Sequence, residues 1–202
     1  AIPEKDVHIA TDSEVIYDYC SDNSMNVIMT PVCLTGSDRV YQASLILDAD
    51  IFINVQGDEP LINPDDIRSV ISFSRNTPNS VINAMCQITE EIDFHSTAVP
   101  KVVVNMENDL LYMSRSTIPL TKNKTMVKAY KQVCIYAFPK AILKKFAAQT
   151  TKTPLESIED IEILRFLEMG VPVKMVEVSR SSISVDYPED VKRVENALNS
   201  NS

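Results

Sequence analysis

The chain has 202 residues, and its 19 basic and 28 acidic side chains give a formal net charge of −9. This balance argues against a protein that binds the phosphate backbone of nucleic acid or an anionic membrane surface. The 45% hydrophobic content is enough for a folded core, and no apolar stretch reaches the length of a membrane helix. The length suits one domain spanning residues 1–202.

Short β-type runs alternate with helical patterns through the first half of the chain. Strands are predicted at 6–11, 26–30, 51–55 and 80–88, and helices at 13–20, 37–47 and 64–74. The unbroken apolar run at 51–55 is typical of a central parallel strand that is buried on both faces. The alternation predicts a three-layer α/β sandwich with a mostly parallel central sheet.

The pattern changes after Pro100. Two strands at 101–105 and 110–115 are joined by a turn, which predicts a hairpin that leaves the core and contacts a partner. A strand at 131–138, a helix at 140–149, a strand at 173–178 and a helix at 188–198 are also expected. The longest helical pattern runs over 154–169 before Gly170. Its acidic residues are interpreted as mostly a solvated face: Glu156, Glu159, Asp160 and Glu162.

The cysteines and histidines carry no recognisable metal or disulfide pattern. We interpret the cysteines as buried free thiols of a cytoplasmic protein: Cys20, Cys33, Cys86 and Cys134. His8 and His95 lack neighbours at ligand spacing, which argues against a zinc site.

Two acidic segments follow β-type runs. Asp58 comes after Gln56 and Gly57 at the end of the strand at 51–55, where a ligand of an open sheet binds and where a carboxylate can hold a hard cation. A turn that merely caps the strand is the alternative. Asp186 precedes the helix that starts at Pro188, and simple helix capping is the stronger reading of the residue types there. Together, Asp58 and Asp186 would suit a two-metal phosphoryl-type transfer.

Two further segments could bind an anionic substrate. Ser37 and Arg39 lie in a Thr-Gly-Ser-Asp-Arg loop between a strand and a helix, where hydroxyls, N–H groups and a guanidinium can hold a nucleotide. A capped helix with an exposed Arg39 is the alternative. Arg115 at a strand end could clamp a substrate carboxylate, or form a surface salt bridge.

Several of these segments together resemble one known family. TGSDRV, INVQGDEPLI, LYMSRSTIP, CIYAF, TPLESIEDIEILR and VDYPEDVKRVE occur in the order and approximate spacing of the 3-deoxy-manno-octulosonate cytidylyltransferases (CMP-KDO synthetases). The resemblance implies a cytoplasmic, homodimeric enzyme of the nucleotide-diphospho-sugar transferase fold. Such an enzyme uses Mg²⁺ to join CTP to an acidic 3-deoxy sugar for lipopolysaccharide or surface polysaccharide synthesis, and it releases pyrophosphate.

The resemblance also implies roles for individual residues. Asp58 and Asp186 match the two catalytic, magnesium-binding carboxylates, and Ser37 and Arg39 fall in the nucleotide-side loop. The segment 101–119 matches the region that pairs subunits. The sugar pocket would be lined by Gln56, Arg115, Gln132, Tyr136 and Glu162.

Three departures from the family pattern qualify this expectation. The family begins with a strand and a Gly/Arg/Lys-rich triphosphate loop, and this sequence starts after both, so we expect the 202-residue chain alone to bind CTP weakly and turn over negligibly. Gln132 stands where a histidine is common, and Ile163 follows Glu162 where glutamine is common. The two substitutions predict a sugar related to KDO rather than KDO itself.

Two other functions stay open at the level of sequence. One is a different nucleotidyl- or glycosyltransferase with the same layered fold, which nucleotide preference would distinguish. The other is a catalytically silent, nucleotide-binding or dimerising protein.

Overall fold

In the computed structural model, which describes residues 1–179, 185 and 187–200, strands and helices follow the predicted order. The strands of this part are β1 (Ile9–Thr11), β2 (Val27–Met29), β3 (Ile51–Val55), β4 (Val81–Gln87), β5 (Lys101–Val104), β6 (Leu110–Ser114), β7 (Tyr130–Pro139) and β8 (Val173–Glu177). The α-helices are α1 (Glu14–Asp22), α2 (Gly36–Ser44), α3 (Pro64–Asn76), α4 (Glu91–His95), α5 (Lys140–Ala147), α6 (Pro154–Glu159), α7 (Ile163–Glu168) and α8 (Pro188–Ser200).

A six-stranded mixed sheet forms the centre of the molecule. Its order is β6-β5-β7-β4-β8, with β3 also paired to β7. Strand β7 is long enough to pair with β3 near one end and with β5 near the other, while β4 occupies its opposite edge. Strands β1 and β2 form a separate two-stranded parallel sheet.

The α/β architecture is confirmed, but the expected parallel pairing is only partly correct. Strands β3, β4, β5 and β8 run in one direction, yet β7 lies antiparallel between β3 and β4, so the parallel pair in this sheet is β4–β8. The prediction for β3 as a parallel strand buried on both faces is wrong: only its Phe52 is buried. A local apolar run does not encode which strand will pair beside it.

Helices cover both faces of the sheet. One face of β4 and β7 packs with α5 and α7, where the Phe166 ring stacks between Phe138 (5.6 Å between centroids) and Phe146 (4.5 Å). The opposite face, which includes Ile82 and Ile135, packs on Val70 of α3. This arrangement gives the three layers that the sequence predicts. No helix formed by the described residues is long and apolar enough to cross a membrane.

The single helix predicted over 154–169 is wrong, because the chain breaks after α6. Asp160 adopts left-handed backbone angles of φ 51° and ψ 50° between α6 and α7. The guanidinium of Arg115 donates to the carbonyl oxygens of Glu159 (2.6 Å) and Asp160 (3.0 Å), which removes two acceptors from a continuing helix. Aspartate tolerates the left-handed region better than most residues.

The hairpin of β5 and β6 does not leave the core as the sequence suggested. Both strands extend the six-stranded sheet, and Val102, Leu110 and Met113 pack into its main core. Leu111 remains 58% exposed and Met106 in the connecting turn is fully exposed. The sheet therefore buries one face of the hairpin within the protomer. The apolar residues of the two strands did not by themselves indicate this burial.

Candidate active site

The end of β3 carries the predicted metal-binding carboxylate. Gln56 continues the strand, and its N–H lies 3.4 Å from the carbonyl oxygen of Cys134 on β7. Asp58 follows two residues later, and its Oδ1 is buried with no hydrogen-bond partner among the described residues. A buried carboxylate oxygen without a donor is costly, and a hard cation would satisfy it. Asp58 therefore fits a magnesium ligand.

The second predicted carboxylate, Asp186, lies outside the described residues, so its place beside Asp58 stays a prediction. The N–H of the preceding residue, Val185, donates to the carbonyl oxygen of Asp58 at 2.8 Å. Within the described ranges, no three His, Cys, Asp or Glu side chains are grouped as metal ligands. The proposed metal site depends on Asp58 and on a residue that the structure does not describe.

Alternate residues of β7 form a wall beside this strand end. Gln132, Cys134 and Tyr136 share one face because successive side chains alternate across a sheet. The Gln132 amide donates to Asn83 Oδ1 (3.0 Å) and to the Tyr136 hydroxyl (3.3 Å). Asn83 in turn donates to the carbonyl oxygens of Val133 and Ile135, each at 3.0 Å, where the β4–β7 register shifts. A polar network thus fixes the predicted pocket residues Gln132 and Tyr136.

Burial and nearby carboxylates keep the groups of this wall protonated. The pKa of the Cys134 thiol is raised to about 12, chiefly by burial and also by the charges of Glu59, Asp58 and Glu162, against the lowering effect of a Tyr136 hydrogen bond. Burial also raises the pKa of Tyr136 well above its ordinary value, followed by the effects of Cys134 and Glu162. At neutral pH the site therefore offers neutral donors rather than a side-chain nucleophile.

The Thr-Gly-Ser-Asp-Arg loop becomes the first turn of α2. The Thr35 hydroxyl accepts from the Asp38 N–H (3.2 Å) and donates to the Asp38 carboxylate (2.8 Å), so threonine caps this helix. Arg39 donates to the Thr30 hydroxyl (2.7 Å) and lies 3.1 Å from the Asp12 carboxylate, which lowers the pKa of Asp12. The alternative of an exposed Arg39 is wrong. Ser37 is buried at the same turn.

Glu162, predicted to face the sugar, contacts this same turn. Its Oε1 accepts from the Gly36 N–H at 3.0 Å and its Oε2 from the Ser37 N–H at 2.8 Å. Residues assigned to the sugar side and to the nucleotide side are thus in direct contact. Recognition of sugar hydroxyls by Glu162 stays a prediction.

Arg115 is held by backbone oxygens rather than by a surface salt bridge. Besides Glu159 and Asp160, its guanidinium donates to the carbonyl oxygen of Thr97 at 3.1 Å. The Glu159 carboxylate accepts from the Arg115 N–H (2.9 Å) and from the Ser114 hydroxyl (2.6 Å). A guanidinium has five N–H donors and three are engaged by these carbonyl oxygens, so the contact with a substrate carboxylate stays a prediction.

The sequence did not identify Arg165, whose side chain is fully buried. It donates to both oxygens of Glu156 at 2.6 Å, lies 3.2 Å from Asp38, and stacks 3.8 Å from the Phe146 ring centre. The interpretation of the acidic residues of 154–169 as a solvated face is wrong for Glu156, Glu159 and Glu162, because each accepts hydrogen bonds from another element or side chain. A charged residue within the apolar run ILRFL was the available signal.

Solved structures show the same fold class. The inositol-1-phosphate CTP transferase of T. maritima matches 93% of this chain and 72% of its own with a TM-score of 0.63 at 16% identity, which shows the fold alone. A CMP:2-keto-3-deoxy-manno-octonic acid synthetase complexed with CTP matches 97% of this chain and 81% of its own with a TM-score of 0.90 at 30% identity. The fold and the acidic strand end define an α/β nucleotidyltransferase.

Sequence comparison then specifies the family. Residues 2–178 match the cytidylyltransferase family, and the chain belongs to it. The 3-deoxy-manno-octulosonate cytidylyltransferase of Flavobacterium johnsoniae is 38% identical over 93% of this chain and 79% of its own length. The enzyme of that name from Acidobacterium capsulatum is 35% identical over 96% of this chain and 79% of its own length.

Proposed function

We propose that this protein transfers the cytidylyl group of CTP to KDO or a related 3-deoxy-ulosonic acid and releases pyrophosphate. The observation that carries the proposal is the buried Oδ1 of Asp58 after the end of β3, which has no hydrogen-bond partner in the described part of a chain of the cytidylyltransferase family. Relatives named 3-deoxy-manno-octulosonate cytidylyltransferase support the sugar class.

The reaction needs positioning and charge stabilisation more than covalent catalysis. The anomeric hydroxyl of the sugar forms a bond to the α-phosphorus, the bond from that phosphorus to the pyrophosphate oxygen breaks, and the hydroxyl proton passes to water. Asp58, with Asp186 as its predicted partner, would hold Mg²⁺, which supplies positive charge against the triphosphate. The protonated Tyr136 and the amide of Gln132 would orient the sugar, and Arg115 would hold its carboxylate.

Replacement of Asp58 tests the proposal. In the intact protein, Asp58→Asn should lower the rate of pyrophosphate release from CTP by roughly 100-fold or more, because a neutral amide binds a cation far less well. Asp48→Asn changes an exposed carboxylate and is the matched control. An unchanged rate for Asp58→Asn, or a better rate with another nucleoside triphosphate than with CTP, would contradict the proposal.

The choice of sugar depends on the wall of β7. Gln132 lies on that wall, whereas Ile163 is fully buried in the main core, so the predicted difference from KDO rests on Gln132. We expect a panel of 3-deoxy-ulosonic and sialic-type acids to contain a better substrate than KDO, and Gln132→His to shift the preference toward KDO. If the unaltered protein uses KDO much better than every other acid in the panel, then glutamine instead of histidine at position 132 does not affect the choice of sugar.

We also propose a cytoplasmic homodimer that uses the segment 101–119. The exposed Leu111 and Met106 of the hairpin support a contact between protomers, and the four free cysteines suit a reducing compartment. Light scattering should give a dimer mass that Leu111→Glu reduces. A monomer of the unaltered protein at micromolar concentration would contradict the dimer.

A further inference from the structure

One carboxylate joins the α6–α7 turn to the start of α2, although 125 residues separate Ser37 from Glu162 along the chain. Both Glu162 oxygens accept a backbone N–H, from Gly36 and from Ser37. These N–H groups belong to the first turn of a helix, where an α-helix leaves donors unsatisfied and where its dipole favours a negative charge. The packing is close, because a Cβ on residue 36 would lie 3.4 Å from Glu162 Oε1.

Arg165 of α7 makes a second connection to the first turn of α2. Arg165 lies three residues after Glu162, on the same side of the helix, and it pairs with the Asp38 carboxylate at 3.2 Å. Its two bonds to Glu156 and its stacking on Phe146 fix the plane of the guanidinium. The first turn of α2 is therefore held at its backbone by a carboxylate and at a side chain by a buried arginine.

We infer that Glu162 is a positioning residue for the nucleotide half of the site, and that Arg165 and Asp38 act with it. The inference rests on the proposed function, because it takes residues 35–39 to be the nucleotide side. Each carboxylate oxygen has a second lone pair, so bonding to α2 does not prevent Glu162 from also accepting a sugar hydroxyl. Removing its charge should nevertheless weaken nucleotide binding when no sugar is present, which a pure sugar contact would not do.

The experiment is a calorimetric titration of CTP with Mg²⁺ into the intact protein without sugar. Glu162→Gln should weaken CTP binding about tenfold, the size of effect expected when a helix cap is lost. Glu168→Gln is the matched control, because Glu168 lies on the same helix and accepts from the N–H groups of Leu155 (3.1 Å) and Glu156 (3.2 Å) at the start of α6. Both variants should melt a few degrees lower, and only Glu162→Gln should change CTP affinity.

A second variant and a kinetic measurement keep the inference falsifiable. Asp38→Asn removes the ion pair with Arg165 and should also raise the KM for CTP. If Glu162→Gln does not fold, the Asp38→Asn result tests the inference by itself. Glu162→Asp keeps the charge and should restore part of the affinity. If Glu162→Gln and Asp38→Asn bind CTP as tightly as the unaltered protein, or if Glu168→Gln weakens binding equally, the inference is overturned.

Failure of the proposed function would look different. In that case the unaltered protein itself would show no CTP binding with Mg²⁺. If it binds CTP normally while Glu162→Gln raises only the KM for the sugar, then the proposed function stands and Glu162 is a sugar contact alone, which overturns the positioning role.

Discussion

Two charged junctions lie on either side of the α6–α7 turn, and they hold their cations in different ways. At the ionic junction, formed by Arg165, Glu156 and Asp38, a buried guanidinium pairs with two carboxylates. At the carbonyl junction, formed by Lys101 and Arg115, the cations donate to backbone oxygens. Lys101 is fully buried, and its Nζ donates to the carbonyl oxygens of Ser96 (2.7 Å), Val99 (2.7 Å) and Arg115 (2.6 Å).

The two arrangements fix different parts of the protein. Carboxylates bring opposite charge, so the ionic junction sets the positions of whole helices, α2, α6 and α7, relative to one another. Carbonyl oxygens bring only dipoles, so the carbonyl junction fixes the path of the loop at 96–99 and of the chain at 159–160, where α6 ends. Burial, followed by the nearby charge of Arg115, lowers the pKa of Lys101 against the effect of Glu159, as expected for an ammonium held mainly by dipoles. The ionic junction should therefore be the more sensitive to loss of one partner.

The largest effect is expected at the ionic junction. Arg165→Met leaves the Glu156 carboxylate buried without its partner, so the free energy of unfolding should fall by about 3–5 kcal/mol. Urea denaturation measures this loss. Adding Glu156→Leu should recover part of it, because a well-packed apolar pair can replace a buried ion pair. A loss below about 1 kcal/mol for the single variant would show that the pair contributes little.

The carbonyl junction should respond less. Lys101→Met keeps the chain length but removes the donor from three carbonyl oxygens, so we expect a loss of about 2–3 kcal/mol in the same measurement. Lys124→Met changes an exposed lysine and should stay within about 0.5 kcal/mol of the unaltered protein. If Lys101→Met and Lys124→Met unfold with the same free energy, the buried lysine contributes no more to stability than the exposed one.

The smallest effect concerns acid stability. Burial alone would raise the pKa of Glu159, but hydrogen bonds from Ser114, the Arg115 N–H and Tyr112 bring the pKa below its ordinary value of 4.5. A carboxyl whose pKa is lower in the folded state stabilises the protein above the unfolded pKa, and this contribution disappears as the pH falls through the folded pKa. Between about pH 6 and about pH 3, Glu159→Gln should therefore lose less stability than the unaltered protein. Parallel curves would show that Glu159 has the same pKa in both states.

The order of elements was predictable because its signals are local. Apolar runs and the helix start at Pro64 lie within a few residues of the structure that they specify. The break at Asp160 was not predictable, because the Arg115 guanidinium that donates to the Asp160 carbonyl oxygen lies 45 residues away along the chain. The sequence also did not predict that β7 pairs antiparallel with β3 and β4, because the whole sheet determines which strands are neighbours.

The candidate site was predictable only in part. The strand end at Asp58 follows from an apolar run and a Gly-Asp pair, and the buried Oδ1 agrees with it. Glu162 was expected to line a pocket, but its hydrogen bonds to α2 depend on where two distant segments meet. The sequence did not predict the buried Arg165–Glu156 pair, because an acidic run most often forms a solvated face. The sequence alone also does not show which residue pairs with Arg165.

The burial of Lys101 also divides the lysines of this protein by chemical reactivity. Its ammonium donates all three N–H groups to carbonyl oxygens and its side chain is fully buried, so acylating reagents, which react only with the neutral amine, cannot reach it while residues 96–99 keep this position. Lys124 and Lys145 are exposed and would be modified freely. An acyl group found on Lys101 would therefore show that residues 96–99 had moved away from its side chain before the reaction.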